Sequence, residues 1–513
     1  MSPQHRRPTR RAALAGAAAL ALPALGRTAA QDGAPNPQPF RFEDVARRAR
    51  EIAGVPYEPG PPLPEALARL EAGAYRDIRF RPERALLGAD GGPFRMQLFH
   101  LGPPHPRPAT VNVVRDGIPV PVAYQAGLFE TGRAPLERLP VNLGFAGLRL
   151  HAPLNAPRAL DELVVFLGPA EFRVLGRDQR YGLAARALLA DGADEAAPHF
   201  REYWVDLPKA DADGAVVHAL LDGPAATGAF RFAIRPGEDT AVDVRAALYP
   251  LRPLADVGLA PLLSSFLAGE GGRRAGGYRP EIHDTDGLLM HSGGGEWLWR
   301  PHRNPRERAV SSFGDRNPRG FGLLQRDRAF ESYQDLAAGF ERRPGYWVEP
   351  QGEWGEGRVV VIEEPSDDPF ARNVRAAWQP REPLMPGSEA SYRYRLRTVG
   401  SPEALHPGGR CVNTFSEPGE GARPEAPARR FLVDFSGGDL AYHLADPASV
   451  EAVASAGGAT VTGVSVVPNP HIGGFRALID ARLDAPGGTA DLRAFLRAGP
   501  RALTETWTLP WPG

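Results

Sequence analysis

The densest cluster of polar and aromatic residues in this 513-residue chain lies between positions 278 and 378. It opens with Tyr278-Arg279-Pro280-Glu281-Ile282-His283-Asp284-Thr285-Asp286-Gly287. It continues through Gly295-Glu296-Trp297-Leu298-Trp299-Arg300-Pro301 and Gln325-Arg326-Asp327 to Tyr346-Trp347-Val348-Glu349. Five of the eight tryptophans fall here: Trp297, Trp299, Trp347, Trp354 and Trp378. This mixture suits a polysaccharide. The apolar faces of sugars lie on aromatic rings, while carboxylates, arginines and amides hold the hydroxyls. Cutting a glycosidic bond needs two carboxyl groups, one to protonate the leaving oxygen and one to activate water or attack directly. By residue type the candidates are Asp284, Asp286, Glu296, Glu349, Glu353, Glu356, Asp367 and Asp368. The competing reading makes the tryptophans core and the carboxylates solvated or paired with arginine, since charged residues mostly sit at surfaces.

Other chemistries find no motif. Gly352, Gly355 and Gly357 lack dinucleotide-binding spacing, and there is no phosphate-binding loop or nucleophile elbow. His283, Asp284 and Asp286 could be grouped as metal ligands, but a loop histidine beside acids is more often a hydrogen-bonded structural group, so no metal or other cofactor is expected. Cys411 is the single cysteine, which rules out an intrachain disulfide and reads as a packed side chain. A formal net charge of −1 gives no electrostatic case for nucleic acid.

The elements that must carry the cluster read as strands. Abundant Gly (58) and Pro (54) favour short strands joined by turns. Phe42, Val45, Ala46, Ala49, Ile52 and Ala53 have helical spacing, which Gly54 ends, and Leu63 to Leu70 suggests a second short helix. After that, period-two alternation dominates. Examples are Phe230, Phe232 and Ile234; Val242, Val244, Ala246 and Leu248; Tyr392, Tyr394 and Leu396; Phe431, Val433 and Phe435; and Phe475, Ala477 and Ile479, with a weaker strand through Leu503, Glu505, Trp507 and Leu509. The three prolines between Gln379 and Glu389 mark a boundary. The segment beyond it has the strand spacing of an immunoglobulin-like sandwich. At the other end, Arg10-Arg11, an apolar run to Leu25 and Thr28-Ala29-Ala30 have the order of a secretory signal, twin-arginine in type. Its removal would take five Arg and move the formal charge from −1 to −6. The mature chain is then expected to be soluble outside the cytoplasm.

Several segments resemble the family of periplasmic glucan biosynthesis proteins, types G and D. They are Ala74-Tyr75-Arg76-Asp77-Ile78-Arg79-Phe80, Leu143-Gly144-Phe145-Ala146-Gly147-Leu148, Gln179-Arg180-Tyr181-Gly182-Leu183, Glu281 to Gly287, Gly295 to Pro301 and Arg319 to Gln325. The resemblance runs from about Phe40 to the C-terminus, and the twin-arginine pair favours the D type. It implies an all-β fold with a large N-terminal antiparallel β-sandwich like that of galactose mutarotases. The expected arrangement is a signal at 1–30, a glucan-binding domain at 31–380, a linker at 381–388 and an immunoglobulin-like domain at 389–513. It also implies a periplasmic location, β-1,2-glucan as ligand and the inner-membrane glucan synthesis machinery as a partner. Oligomeric state stays open, a homodimer included.

In active members of that family the general base matches Asp284, and the general acid belongs to an Asp-Asn pair. Here that pair is Arg372-Asn373. An arginine stays protonated and cannot act as a general acid at neutral pH. Asp367 and Asp368, a few residues earlier, are the substitutes. The expected substrate-binding set is Asp286, Glu296, Trp297, Trp299, Arg326, Tyr333, Trp347, Trp354 and Arg372. Three readings remain open: a glucan hydrolase or transglycosylase, a non-catalytic glucan-binding or chain-guiding factor, and, by fold analogy alone, a mutarotase-like enzyme for monomers.

Overall fold

The computed structural model describes residues 38–512 apart from 89–91, 133, 135–138, 141, 191–196, 271–276 and 424–426; the expected export signal at 1–30 lies outside the described residues. The fold is all-β, with antiparallel sheets and few helices. No helix among the described residues is long and apolar enough to cross a membrane.

Contacts group the chain into two compact units that interleave in sequence. The first holds residues up to Arg177, Ala185–Leu259 and Glu382–Arg395; the second holds Asp178–Ala184, Ala260–Arg381 and Leu396–Gly513. This grouping cuts across a division at 381–388. That proline-rich segment is a loop between the strands Val374–Pro380 and Ala390–Val399.

In the first unit, the strands Arg95–Phe99, Gly147–Ala152, Asp161–Leu167 and Glu171–Val174 pair in that order. A second run joins Ala241–Pro250, Ala226–Arg235, Ala215–Asp222 and His199–Asp206. The two runs meet through aromatic rings: Phe166 and Phe172 each stand 5.0 Å from Phe232. The predicted helix is present as Phe42–Ala53, and its apolar stripe of Phe42, Val45, Ala49 and Ile52 is buried on the outer face of the second run. The expected second helix shrinks to Glu65–Ala68, because Pro64 keeps Leu63 out of helical backbone and itself takes the extended N-cap position.

The second unit carries the polar cluster. A mixed sheet runs through Glu451–Gly457, Thr489–Ala498, Thr506–Pro512, Trp297–Pro301, Gly287–His291, Gly320–Leu324 and Gly345–Gln351. The C-terminal strand joins it in parallel, Trp299 opposite Trp507. Four further strands, Arg410–Pro418, Ala428–Ser436, Gly474–Leu483 and Ala459–Asn469, form a separate antiparallel sheet. Between these sheets lies one core of Trp299, Trp347, Trp507, Phe431, Phe435 and their neighbours. Cys411 belongs to it, and burial pushes its thiol up.

Buried ion pairs bind the strands together. The guanidinium of Arg300 grips Glu363 with both outer nitrogens, Nη2 to Oε2 at 2.7 Å, and the Arg303 N–H adds a bond of 2.7 Å to Oε1. Burial, the largest single influence, opposes the charge on Glu363, but the charges and hydrogen bonds of Arg300 and His302 together outweigh it and hold the carboxyl well below the usual carboxylate range. A lowered carboxyl stabilises the fold above its unfolded pKa, and that stability is lost as pH falls through the folded value. Glu363→Gln, which leaves Arg300 buried and uncompensated, should cost about 3–5 kcal/mol at pH 7. Urea unfolding at pH 7 and at pH 3 checks it: the gap between wild type and variant should narrow in acid, and an equal gap at both pH values would contradict the assignment.

Candidate functional site

The site is built on the strand Ile282–His283, which pairs with Phe266–Ala268, and on the residues that follow it. Asp284 is buried, with its N–H bonded to the Ser265 carbonyl at 2.9 Å. Its carboxylate accepts a hydrogen bond from Arg343 Nη1. Gly182 packs against both groups; a Cβ there would lie 2.9 Å from the Arg343 side chain and 3.1 Å from the Asp284 carboxylate. Any side chain at 182 would therefore push this ion pair apart, which gives a physical reason for the glycine in Tyr181-Gly182-Leu183.

One residue along, Phe266 is clasped by Asn373. Its N–H donates to Oδ1 and its carbonyl accepts from Nδ2, both at 2.9 Å. Ser265 and Phe266 thus tie Asp284 to the Arg372-Asn373 pair. Asn373 is a backbone strap, and Arg372 sits half-buried beside it where the resemblance implied an acid. The proposed substitutes do not fill the gap. Asp367 and Asp368 are exposed on a turn, and Asp368 caps it by accepting the Phe370 N–H at 2.9 Å.

The carboxyls that do converge are others. A small cleft with room for about 120 Å³ of solvent is lined by Glu270, Glu281, His283, Asp286, Asp327 and Trp299, among others. His283 is fully enclosed. Its Nε2 lies 2.7 Å from Glu281 Oε2 and its Nδ1 lies 3.2 Å from Gln325 Oε1. The Gln325 amide is oriented by its own bond to the Phe340 carbonyl at 2.5 Å. Burial alone would lower the imidazole, but Glu281, Asp286 and Asp327 outweigh it and raise its pKa. Asp286 Oδ2 accepts the N–H groups of Arg326 at 2.8 Å and Asp327 at 3.3 Å, while its Oδ1 is buried without a partner. Burial, aided by Glu281 and Asp286, pushes Glu270 up to about 8, against the Thr414 N–H that favours its charged form. Burial and the neighbouring carboxylates raise Asp327 as well. The cleft therefore holds protons on carboxyl groups near neutral pH.

Glu281, His283 and Asp327 bring one ligand atom each within 4.8 Å of one another, an arrangement of nitrogen and oxygen that suits zinc or manganese. This is not the His283-Asp284-Asp286 grouping read from the sequence, because Asp284 turns to Arg343.

Several expected contacts with substrate are corrected. Trp347 and Trp299 are each 3% exposed and belong to the core, so neither offers an open stacking platform; only an edge of Trp299 reaches the cleft. Tyr333 is fully buried, stacked on Phe340 and donating its hydroxyl to the Asp327 carbonyl at 3.1 Å. Arg326 is committed to Glu505 by two bonds of 2.6 and 2.9 Å and also donates to the Cys411 carbonyl. Glu296 is held by Arg493 at 2.5 Å and by the Thr506 hydroxyl at 2.7 Å. Trp297 is half-buried and stacks on His291 at 4.0 Å; Trp354 is half-buried near Trp378. Of the expected binding residues, Asp286, Trp299 and Arg326 line the cleft. Glu270 and Asp327 were missed. Their one visible signal was that Asp327 follows Gln325-Arg326 in a segment already marked as distinctive.

The family described as "Periplasmic glucan biosynthesis protein, MdoG" matches residues 40–511. "Glucans biosynthesis protein G" of Rhodopseudomonas palustris (strain BisA53) is 41% identical over 507 residues, covering 98% of this chain and 99% of that protein. "Glucans biosynthesis protein D" of Stenotrophomonas maltophilia (strain K279a) is 42% identical over 509 residues, covering 96% and 94%. "Glucans biosynthesis protein G" of Vibrio cholerae (strain ATCC 39541) is 42% identical over 481 residues, covering 92% and 87%.

The raised Glu270 has a thermodynamic signature. The folded protein keeps a proton that the unfolded chain releases near pH 4.5, so stability falls as pH rises from there toward 8. Glu270→Gln keeps an acceptor for the Thr414 N–H and removes the charge. Its Tm relative to wild type should rise between pH 5 and pH 8.5 by more than the ~2–4 °C that ~1 kcal/mol produces in a large domain, since about three pH units of this linkage carry ~4 kcal/mol. Parallel Tm curves would place Glu270 among ordinary carboxylates.

Proposed function

This chain belongs to the periplasmic glucan biosynthesis protein family, and from that premise we propose that it binds and processes a β-1,2-glucan backbone in the periplasm. The reaction is inverting endo-hydrolysis or transglycosylation. The observation that carries this reading is the convergence of Glu270, Glu281, Asp286 and Asp327 in one cleft on the segment that holds Asp284 and on its neighbours. Glycoside cleavage needs one carboxyl that arrives protonated and one that is ionised, and unequal environments supply that difference. Glu270, pushed up to about 8, can give a proton to a leaving oxygen near neutral pH. It thereby supplies the acid that Arg372 cannot. Asp284, oriented by Arg343, takes the role of base.

A second reading has its own support. Arg372 at the acid position favours a factor that binds and guides the glucan without cutting it. The two separate on one incubation. The mature protein with linear β-1,2-glucan should yield shorter or rearranged chains, and Asp284→Asn should reduce new reducing ends at least about 100-fold, the lower range for a positioned acid or base. Tight binding with no change in chain length would select the guiding factor. Full activity in Asp284→Asn would remove that residue from the mechanism.

A further inference from the structure

The distinctive segment Ala74-Tyr75-Arg76-Asp77-Ile78-Arg79-Phe80 takes no part in the carboxyl cleft, yet it walls a cavity in the first unit. The short helix Ala72–Arg76 and the strand Arg79–Phe80 flank a cavity of about 690 Å³. That size lies within the range of small-molecule sites, about 300–1,000 Å³. The half-buried Tyr75 ring, fixed by its hydroxyl bond to the His100 carbonyl at 3.0 Å, supplies its aromatic floor, backed by the buried Phe80 and Phe129, which meet edge to face at 5.4 Å. Phe99 adds a half-buried ring, with the Arg149 guanidinium 5.3 Å from its centre.

The charges around this cavity are unequal in their commitments. Arg149 is spent on Gln97 at 2.7 and 3.1 Å and on Glu162 at 2.7 Å. Glu130 faces Arg81 at 3.8 Å. Arg76 and Arg79 both line the cavity and are exposed, and neither has a side-chain hydrogen bond or ion pair among the described residues. His105 also lines it, and its Nδ1 is buried without a partner. Two uncommitted guanidiniums over an aromatic floor match a ligand with a flat apolar face and an anionic group, since the guanidinium fork fits phosphate and carboxylate.

We propose that this cavity binds an acidic saccharide unit, a sugar bearing a phosphate or carboxylate, with Arg76 and Arg79 holding the anion. That the ligand is a sugar rests on the glucan reading above; the anion preference rests on the cavity alone.

Calorimetric titration of the whole mature protein with glucose 6-phosphate, glucuronate, glucose and inorganic phosphate tests it. At least one of the two charged sugars should bind about ten-fold or more tighter than glucose, the worth of one charge-assisted pair, and the preference should weaken with salt. In the double variant R76Q/R79Q the preference should vanish, while action on neutral linear β-1,2-glucan stays as in the wild type. Equal binding of charged and neutral sugars overturns the proposal, as does a preference that survives in the double variant. Inorganic phosphate binding as tightly as glucose 6-phosphate overturns the saccharide part and leaves an anion site. Because neutral glucan is assayed separately, failure of the glucan reading and failure of this one give different results.

Discussion

The commitment of Arg326 to Glu505 fixes the chemistry of the second unit. Both ends of this two-bond pair are buried, and the same guanidinium lies 3.5 Å from the centre of the Trp299 ring. The Glu505 carboxylate also takes the Cys411 N–H at 2.8 Å, so the pair pins the C-terminal strands against the strands that carry the cleft. Removing either partner would strand a buried charge, which is why such pairs are structural anchors rather than adaptable ligands. With Arg326 held by Glu505, the carboxyls of Glu281, Asp286 and Asp327 act on His283 and, with Glu270, share one cleft. Some of them must hold protons, and a protonated carboxyl beside ionised ones is what glycoside chemistry requires.

The strands were legible in the sequence wherever one face is buried. Phe230, Phe232 and Ile234, or Phe475, Ala477 and Ile479, point into cores and leave a period of two. The helix Phe42–Ala53 was legible for the matching reason at a period of 3.6. The tryptophans misled because a stacking platform and a core residue share a composition. A finer signal was present. A Cβ at Gly320 would lie 2.2 Å from the Trp347 ring, and one at Gly357 would lie 2.5 Å from Trp378. A glycine one strand away from a tryptophan marks an indole lying flat across the sheet, hence packed.

The candidate cleft was hidden for a different reason. Glu281 and Asp286 share one segment, but no local spacing joins them to Glu270 or Asp327. They meet because Gly287 pairs with Leu324 across two neighbouring strands, which sets Asp286 beside the N–H groups of Arg326 and Asp327. Asp284 was found by motif, but its Arg343 partner, 59 residues away, was not. The absence of an acid at Arg372 was visible in the sequence; the carboxyl that could replace it became visible only with the pairing of strands.

The central claim is that a carboxyl in this cleft, kept protonated by burial and by its neighbours, donates to the leaving oxygen. The pH dependence of kcat/KM on linear β-1,2-glucan tests it most directly, with wild type and Glu270→Gln side by side. The account predicts an alkaline limb near pH 8 in the wild type and its loss, with most of the rate, in the variant. An identical alkaline limb and rate in both proteins would contradict it.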